Sequence, residues 1–520
     1  MLAVLRFCGA NVWLYRRTLG YGAKALSTTE APSYDLHVTR PVWQPFNEPA
    51  TLIVDQLAEM FDYPDTGPKA DKYRAVLASL LRVTQSVLTS QNRKKPQYLG
   101  IQRRASAWSL FPIVGRDISK KVISDYLDYL GAKKVEGSGD SGLDKDQFGR
   151  WRTDPKMSMY VIDPSSCPDN LSNAKFIQVG LPTVKVNVSE SRQQKRYREL
   201  QNRSKPSLNR KQMLQVSEEA LTASESRIQK LNAHWRKHPI VMSNGHAAAC
   251  ATRVFHDGRF DAGGRLYGAW TGLDKDTKRL HCTIDNEPIC EIDIRASQPT
   301  LLSCLLGDKL TNVSENQTWW DVYVELTNLT FYDDEAWDQY LAEFEAGASH
   351  SIDPVKRTRT IAKSVVMQLI GLGNANKISP TKELREETGV TQEEWYFFAT
   401  KLRQAIPALE RLEPRYNQTG ELSGYMNGAG FLSYHESEIT LLTLEKLHSI
   451  NITAYPVHDC IIVKLSDVRV ASQTYRETIR QYCKAMSGLD ALVPLKCEVA
   501  DGVPTDGLPK GDDLRGQYLN

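Results

Sequence analysis

Apolar residues recur at helical spacing from about residue 50 to residue 130. The side chains of each stretch therefore fall on one face of a helix. The two clearest stretches are Leu52, Ile53, Leu57 and Met60, then Leu77, Leu80, Leu81 and Val87. The pattern predicts a largely helical N-terminal domain over residues 49–189, whose role the sequence leaves open.

Shorter segments of that domain differ from the helical pattern. Met159–Ile162 and Val184–Val186 are short apolar pieces that predict strands. Residues Glu136–Asp146, EGSGDSGLDKD, predict a surface loop. A further helix is predicted from about residue 211 to residue 234.

Two regions have opposite charge. Between Arg192 and Lys211, eight Lys and Arg residues face a single acid, Glu199. Such a run is usually a solvated helix face, and the alternative is a surface that binds the phosphates of a nucleic acid.

The opposite charge is found in Leu310–Val355, which contains ten acids and no Lys or Arg. Because these acids would repel a phosphate backbone, we expect this stretch on the outside of the molecule, away from nucleic acid.

A strand followed by a helix is predicted within Glu287–Gly307. Alternation with a period of two separates an apolar face from a face carrying Glu291 and Asp293. The following SQPTLLSCLL predicts a helix that begins at Ser297. A carboxylate at the end of a buried strand, beside a helix start, is well placed to hold a cation.

A hairpin is predicted within Ile452–Lys464, ITAYPVHDCIIVK. Two apolar strands flank His458 and Asp459, which places Asp459 at the tip. Asp293 and Asp459 are 459 − 293 = 166 residues apart, so they meet only if the intervening chain folds and returns. Two fixed carboxylates suit two-metal phosphoryl transfer, and Mg²⁺ accepts few carboxylates beside waters and phosphate oxygens.

An amphipathic helix is predicted between these aspartates, within Lys356–Gly373. Lys356, Arg359 and Lys363 share one face because they are three and four residues apart. Apolar residues cover the other face: Ile361, Val365, Val366, Leu369 and Ile370. A basic stripe is most often solvated surface, but here it would give an incoming triphosphate cationic cover.

Composition is that of a folded protein. The 520 residues are 41% hydrophobic and 24% charged, and no apolar run approaches the ~18 residues that a membrane span requires. The net charge of +3 identifies no partner. Nine cysteines without a CxxC pair indicate neither a zinc knuckle nor a disulfide scaffold, and Cys290, Cys304 and Cys460 are predicted to be core residues in a reducing compartment.

Taken together, these segments resemble family A DNA polymerases and the related single-subunit, phage-type RNA polymerases, in a divergent phage or mobile-element form. EIDIRASQPTLL is similar to motif A, with its strand ending in Asp293. Arg359, Lys363 and Met367 match the Arg-x3-Lys-x3-aromatic or Met pattern of motif B. VHDC, with His458 and Asp459, is similar to the hairpin of motif C.

Two further segments extend the resemblance to roughly half of the chain. GGRLYG at Gly263–Gly268, followed by Arg279, is similar to the Gly-Arg-Leu segment that contacts the primer–template minor groove. Phe431–Leu447 resembles the helix that precedes motif C. A single motif of this kind is weak, whereas several in the family order are specific.

The resemblance implies an α+β right hand, with an antiparallel palm sheet and helical fingers and thumb, behind the N-terminal domain. It divides the chain into a tail (1–48), the N-terminal domain (49–189), a basic thumb-like segment (190–238), a first palm part (239–308), fingers with the acidic insertion (309–424), a second palm part (425–505) and a C-terminal tail (506–520).

The implied reaction is template-directed nucleotide addition to a DNA primer in DNA replication, with DNA or RNA as the bound polymer. Asp293 and Asp459 would bind two Mg²⁺, with Mn²⁺ as the alternative. Arg359 and Lys363 would hold the nucleoside triphosphate, and Lys363 would protonate the leaving pyrophosphate.

Four further residues complete the implied site. Arg265, His458 and Arg279 would contact the primer–template, and Gln298 the nucleotide. Two of these have plainer alternatives: Arg265 as a structural ion pair and His458 as a hydrogen-bonded turn residue. Glu436 and Glu438 are left outside the catalytic set.

Departures from the family pattern keep alternatives open. Gln298 replaces the Glu that gates against a ribose 2′-hydroxyl, Gly371 replaces an expected tyrosine, and Met367 is more like the RNA polymerases. The alternatives are a single-subunit RNA polymerase or primase, an untemplated terminal transferase and a non-catalytic nucleic-acid-binding relative.

Localisation rests on the N-terminus. A cytoplasmic enzyme, of a nucleoid or an infected cell, is favoured, with no membrane partner. Basic residues precede the first acid, Glu30, which resembles an organellar presequence and makes a mitochondrial location the alternative.

Overall fold

A computed structural model describes most of the chain, and it divides into two compact units. The first unit comprises Met1–Arg253 with Tyr267–Asn286, and the second comprises Val254–Leu266 with Glu287–Asn520. The residues described are 16–18, 33–38, 42–89, 97–102, 116–134, 157–188, 194, 206–310, 318–319, 322–325, 342, 353–372, 378–412, 414–416, 422–425 and 428–519.

The described α-helices are numbered in chain order. They are α1 Glu48–Met60, α2 Gly67–Thr89, α3 Arg116–Tyr129, α4 Arg210–Lys237, α5 Ser297–Leu306, α6 Val322–Glu325, α7 Pro354–Leu372, α8 Lys382–Thr388, α9 Gln392–Ala405, α10 Gly428–Ser449 and α11 Val468–Ser487.

The described strands are numbered in the same way. They are β1 Arg16–Thr18, β2 Ser33–Val38, β3 Val42–Pro45, β4 Gln97–Gln102, β5 Lys133–Lys134, β6 Met157–Val161, β7 Phe176–Gly180, β8 Val184–Val186, β9 Ile240–Val241, β10 Ala247–Ala248, β11 Thr252–Phe255, β12 Gly263–Tyr267, β13 Thr283–Ile284, β14 Glu287–Ile294, β15 Thr318–Trp319, β16 Pro414–Tyr416, β17 Leu422–Tyr425, β18 Ala454–Val457, β19 Cys460–Lys464, β20 Ala491–Leu492, β21 Leu495–Glu498 and β22 Gly516–Tyr518.

The first unit mixes helices with two sets of paired strands. One sheet has the order β1-β2-β4-β6-β5, and a second run of strands has the order β13-β9-β10-β7-β3. The predicted strands at 159–162 and 184–186 are present as β6 and β8. The prediction of a largely helical N-terminal domain is therefore incomplete, because strand β4 lies within the stretch from about residue 50 to residue 130 that shows helical periodicity.

Helix α1 shows how its sequence fixes its start and its buried face. The Asn47 side chain accepts a hydrogen bond from the Ala50 N–H at the N-terminus, as an N-cap residue does. Ile53 and Leu57 are buried on one face of this helix. The helix predicted from this spacing is present, although Leu52 and Met60 are 53% and 62% exposed. Leu52 lies on the side of the helix opposite the buried face, and Met60 is the last residue of the helix.

Helix α4 covers the helix predicted at 211–234. Asn209 and Gln212 form a reciprocal capping box at its start, which satisfies two otherwise open N–H groups. Ser217 has extended backbone angles, φ −167° and ψ 109°, so the helix is interrupted there. Trp235, near its end, packs edge-on against Trp270 of the same unit. Its assignment to a thumb stays a prediction.

The second unit contains the antiparallel sheet that carries both predicted aspartates. The strand order is β18-β19-β14-β21. Strand β14 pairs with β19 on one side and with β21 on the other, which makes it central. Its residues Cys290, Ile292 and Ile294 are buried, as their apolar alternation predicted.

Helices of the second unit pack around this sheet. Helix α5 follows β14 and begins at Ser297, as predicted, and the predicted helix at 431–447 lies within α10. Helices α10 and α11 contact one another, and α11 also contacts α5. Sheet and helices together place β14, the β18–β19 hairpin and α10 side by side.

Several predicted features lie wholly or mainly outside the described residues. They are the loop Glu136–Asp146, the N-terminal basic segment, and most of the basic run Arg192–Lys211 and of the acidic stretch Leu310–Val355. Within the described parts of the chain, no helix is both long enough and apolar enough to cross a membrane. Cys290, Cys304 and Cys460 are buried, as predicted, and none of the three forms a disulfide.

Candidate active site

The β14–β19 ladder brings the two predicted aspartates to one end of the sheet. Asp293 lies directly opposite Cys460, the residue that follows Asp459. Val457 pairs with Cys460, so His458 and Asp459 form a two-residue turn between β18 and β19. His458 has φ 58°, a left-handed conformation that histidine adopts more readily than most residues. Asp293, His458 and Asp459 are all half-buried.

A buried tyrosine marks where the carboxylates converge. The Tyr475 hydroxyl donates a hydrogen bond to the backbone carbonyl of Asp459, at 2.8 Å. Burial raises the pKa of Tyr475 well above its usual value, and the negative charges of Asp459, Glu436 and Asp293 raise it further. Three carboxylates from β14, the hairpin and α10 therefore act on one phenol.

Glu436 is the most buried of these carboxylates, with 1% of the residue exposed. Arg265 donates two hydrogen bonds to the Glu436 carboxylate, from Nε to Oε1 at 2.7 Å and from Nη2 to Oε2 at 2.8 Å. Burial raises the pKa of Glu436 to about 7; Asp459 adds to this shift, and Arg265 opposes it. Such a charge-assisted pair is stronger than a neutral hydrogen bond and fixes the orientation of both side chains.

Two hydroxyls of α10 contact backbone carbonyl oxygens close to this ion pair. Thr440 Oγ1 lies 2.9 Å from the Glu436 carbonyl oxygen and 3.4 Å from that of His458. Ser437 Oγ lies 3.3 Å from the Gly263 carbonyl oxygen. Gly263 has φ +82°, and a Cβ there would lie 2.4 Å from His256 Cδ2, so the backbone requires glycine.

The junction between β14 and α5 is strained. Ala296 has φ 45° and ψ 48°, a left-handed conformation that costs an L-residue roughly 1–2 kcal/mol. No side chain caps the α5 N-terminus. Gln298 lies in its first turn, half-buried, and its Oε1 has no hydrogen-bond partner among the described residues. Strained backbone of this kind is often retained where function requires it.

Helix α7 carries the predicted triphosphate-binding residues. Its predicted apolar face, including Ile361 and Val365, is buried. Lys363 is exposed, and the Arg359 guanidinium lies 5.6 Å from the centre of the Tyr323 ring. Binding of a triphosphate by Arg359 and Lys363 therefore stays a prediction.

A second buried ion pair holds α7 against α9. Arg357 Nη1 and Nη2 donate to the two Glu394 carboxylate oxygens at 2.7 and 2.9 Å. Arg357 Nε also donates to the Thr388 carbonyl at 2.7 Å. The side chains of Arg357 and Glu394 are only 3% and 1% exposed. This pair orients the helix that presents Arg359 and Lys363.

Arg279 belongs to the first unit rather than the second. Its Nη1 donates a hydrogen bond to the Leu273 carbonyl at 3.1 Å, within the segment that follows β12. The predicted primer contact of Arg279 stays a prediction.

The donor set can be compared with the preferences of metal ions. Within the described residues, no group of three or more His, Cys, Asp or Glu side chains is arranged to hold a metal ion. Glu436 therefore does not complete a three-carboxylate site with Asp293 and Asp459. Two carboxylates fit Mg²⁺, which commonly takes one or two beside waters and substrate phosphates, and they do not fit a closed zinc site.

The chain is weakly similar to a polymerase domain. The solved structure is the POL domain of Pol1 from M. smegmatis, in complex with DNA primer-template and dNTP. The TM-score is 0.27 and the sequence identity is 10%, over 53% of this chain and 50% of that one. A TM-score this low does not establish a shared fold, and the chain spans about half the length of its relative.

Sequence comparisons add no family. No known family model matches the chain, and no curated protein matches it significantly.

Sequence reasoning missed or undervalued two residues of this site. Glu436 is left outside the catalytic set by the sequence, which offers it either a hydrogen bond within the palm or support of the metal site. Tyr475 was not singled out at all. The available signal was the apolar spacing of α11, where Val468, Ala471, Tyr475 and Ile479 form one buried face. That spacing predicts burial but not the neighbouring carboxylates.

Proposed function

We propose that this chain is a template-directed nucleotidyltransferase, a DNA polymerase of the family A type that extends a primer. The observation that carries the proposal is the position of Asp293 and Asp459 at one end of the β14–β19 ladder. Buried Glu436 and its partner Arg265 support it, because they add a fixed charge pair beside the aspartates.

Asp293 and Asp459 would hold two Mg²⁺ that arrive with the triphosphate. When bound, such ions neutralise phosphate charge and favour ionisation of the attacking 3′-hydroxyl. The carboxylates are fixed by sheet pairing, so little reorganisation is needed when substrate binds. Alignment of the two substrates would supply much of the acceleration.

The remaining residues would position substrates. Lys363, exposed on α7, would reach the phosphates and donate a proton to the leaving pyrophosphate, and Arg359 would assist from the same face. His458, in its turn beside Asp459, would contact the primer end. Gln298, with a carbonyl oxygen that lacks a partner among the described residues, would face the sugar of the nucleotide.

Arg265 would contribute through its ion pair. Nε and Nη2 are both bonded to Glu436, so the guanidinium is held in one orientation. Its side chain remains 19% exposed, which leaves part of it accessible to a primer–template minor groove. Glu436 is thus a positioning residue for Arg265.

Extension of a labelled primer tests the proposal. The expected result is template-dependent extension with dNTPs and Mg²⁺, reduced about a thousandfold (~4 kcal/mol) in Asp293→Asn and in Asp459→Asn. Asp501→Asn, an exposed carboxylate, is the matched control and should retain full activity.

Three outcomes would contradict the proposal. Extension without template would indicate a terminal transferase. Preference for rNTPs, or synthesis without a primer, would indicate an RNA polymerase or primase. Normal activity of both aspartate variants would remove them from the site.

A further inference from the structure

A separate cavity of about 310 Å³ lies in the second unit, against α11. Four of its lining residues, Arg469, Ser472, Gln473 and Arg476, are spaced by three and four residues and so share one helix face. The rest of the lining is Glu477, Leu492, Pro509 and Asp513. The volume is at the lower end of the range for small-molecule sites, about 300–1,000 Å³.

The distinctive group in this cavity is the guanidinium of Arg476. Its Nε and Nη2 atoms are buried, and neither has a hydrogen-bond partner among the described residues. Burial lowers the pKa of Arg476, and Asp513 partly opposes this. Buried donors of a charged group are rarely left unsatisfied, because the cost of desolvating them is then uncompensated.

The same edge of arginine binds carboxylates elsewhere in this unit. Arg265 donates from Nε and Nη2 to both oxygens of Glu436. Arg480, one turn beyond Arg476, donates from the same two atoms to Asp490, at 2.7 and 3.0 Å. Arg476 therefore presents the two-donor edge that its neighbours use to grip an anion.

The unsatisfied donors of the lining favour an anion as the missing partner. The Glu477 carboxylate already accepts hydrogen bonds from Arg480 at 2.9 Å and from Gln481 at 2.7 Å. Arg469 and Arg476 are then opposed mainly by Asp513, an exposed carboxylate. The formal charges of the lining cancel, but the Glu477 carboxylate is already hydrogen-bonded outside the lining, whereas the Nε and Nη2 donors of Arg476 have no partner among the described residues.

We propose that this cavity binds a small phosphomonoester. The Arg476 edge would donate to two phosphate oxygens, and Arg469 and Gln473 would donate to the others, while the Ser472 hydroxyl already donates to the Arg469 carbonyl at 3.0 Å. Two guanidinium groups match a dianion better than a monocarboxylate. Leu492 and Pro509 offer apolar contact to the organic part of the ligand. This site is distinct from the proposed polymerase centre and does not depend on it.

Calorimetric titration at constant ionic strength tests this inference with the full chain. The probes are inorganic phosphate, adenosine 5′-monophosphate and a single-stranded oligonucleotide without terminal phosphates. We expect saturable binding of the monophosphate below about 10 mM, weaker binding of inorganic phosphate, and no oligonucleotide binding that depends on Arg476. Oligonucleotide binding that is lost with Arg476, without monophosphate binding, would assign the cavity to a nucleic-acid backbone and overturn the proposal.

Variants locate the binding. Arg476→Gln should weaken monophosphate binding about tenfold or more, and Arg476→Lys, which keeps the charge but not the two-donor edge, should weaken it less. Arg385→Gln is the matched control, since Arg385 is exposed on α8 and does not line the cavity. Asp513→Asn should tighten binding about threefold, a gain that misfolding cannot produce. Unchanged affinity in both Arg476→Gln and Asp513→Asn, or no saturable binding by the unaltered chain, would contradict the proposal.

Discussion

Two bidentate arginine–glutamate pairs in the second unit have similar hydrogen-bond lengths but different surroundings. In both, one guanidinium donates to both carboxylate oxygens at 2.7–2.9 Å. Both side chains of the Arg357–Glu394 pair are buried, and the Arg357 Nε donates a hydrogen bond to the Thr388 backbone carbonyl. We call this the sealed pair. Arg265–Glu436 lies beside Asp459, and its arginine is partly exposed.

The comparison teaches that bidentate geometry alone does not define a role. A sealed pair can only hold two elements together, whereas a pair with an exposed arginine and a neighbouring carboxylate can also act on a ligand. We therefore assign Arg357–Glu394 to the orientation of α7 and Arg265–Glu436 to the candidate active site.

The largest expected effect on stability comes from breaking the sealed pair. Glu394→Gln leaves Arg357 buried without a counter-charge and should cost about 3–5 kcal/mol. The midpoint of urea unfolding measures this. Glu386→Gln, in the exposed pair with Lys382, is the control and should cost less than about 1 kcal/mol. Equal shifts in the two variants would show that burial does not distinguish these pairs.

Breaking the Arg265–Glu436 pair should reduce stability less than breaking Arg357–Glu394, but it should reduce activity more. Glu436→Gln leaves Arg265 able to reach water, so the expected loss of stability is about 1–3 kcal/mol. Primer extension should fall about tenfold or more because Arg265 loses its fixed orientation. Glu394→Gln, assayed well below its unfolding temperature, should keep most activity per folded molecule. If Glu394→Gln lost activity and Glu436→Gln kept it, Arg357–Glu394 rather than Arg265–Glu436 would belong to the active site.

The pH dependence of stability sharpens the same contrast. The pKa of Glu436 is raised to about 7 in the folded chain, against roughly 4.3 when unfolded. Between these values the folded state binds more protons, so this group's contribution to stability is present at low pH and is lost as pH rises through about 7.

Melting temperatures of the unaltered chain and of Glu436→Gln, compared from pH 5 to pH 8, measure this effect. The unaltered chain should lose stability relative to Glu436→Gln as the pH rises. A constant difference between the two proteins would contradict the raised pKa.

Much of the second unit was predictable from its sequence because its signals are local. Period-two alternation located β14, the turn at His458 and Asp459 located the hairpin, and helical periodicity located α7 and α10. The meeting of the two aspartates was also predicted, although it spans 166 residues. It rested on the order of several segments rather than on any single one.

The sequence offered an ion pair as one alternative for Arg265, but the partners in these ion pairs were not predictable in the same way. Arg265 and Glu436 are 171 residues apart, and Arg357 and Glu394 are 37 apart. Neither separation leaves a periodic signal, since the partners are chosen by packing of distant elements. Helical spacing located α1, but it did not distinguish the buried Ile53 and Leu57 from the exposed Leu52 and Met60, because packing selects the buried face.

The smallest expected effect on stability is that of Lys363. Because this side chain is exposed, Lys363→Gln should change unfolding by no more than about 0.5 kcal/mol. If Lys363 contacts the triphosphate, the KM for the nucleotide or the rate of extension should worsen about tenfold. Lys382→Gln, also exposed, is the control. Unchanged kinetics would remove Lys363 from the site.

A double-mutant cycle on Asp293 and Asp459 tests the central claim most directly. Primer extension is measured for Asp293→Asn, Asp459→Asn and the double variant at equal folded concentration. If the aspartates act as one unit, each single variant loses about a thousandfold and the double variant loses little more. Losses that multiply to about a millionfold, or a single variant with normal activity, would contradict a shared site.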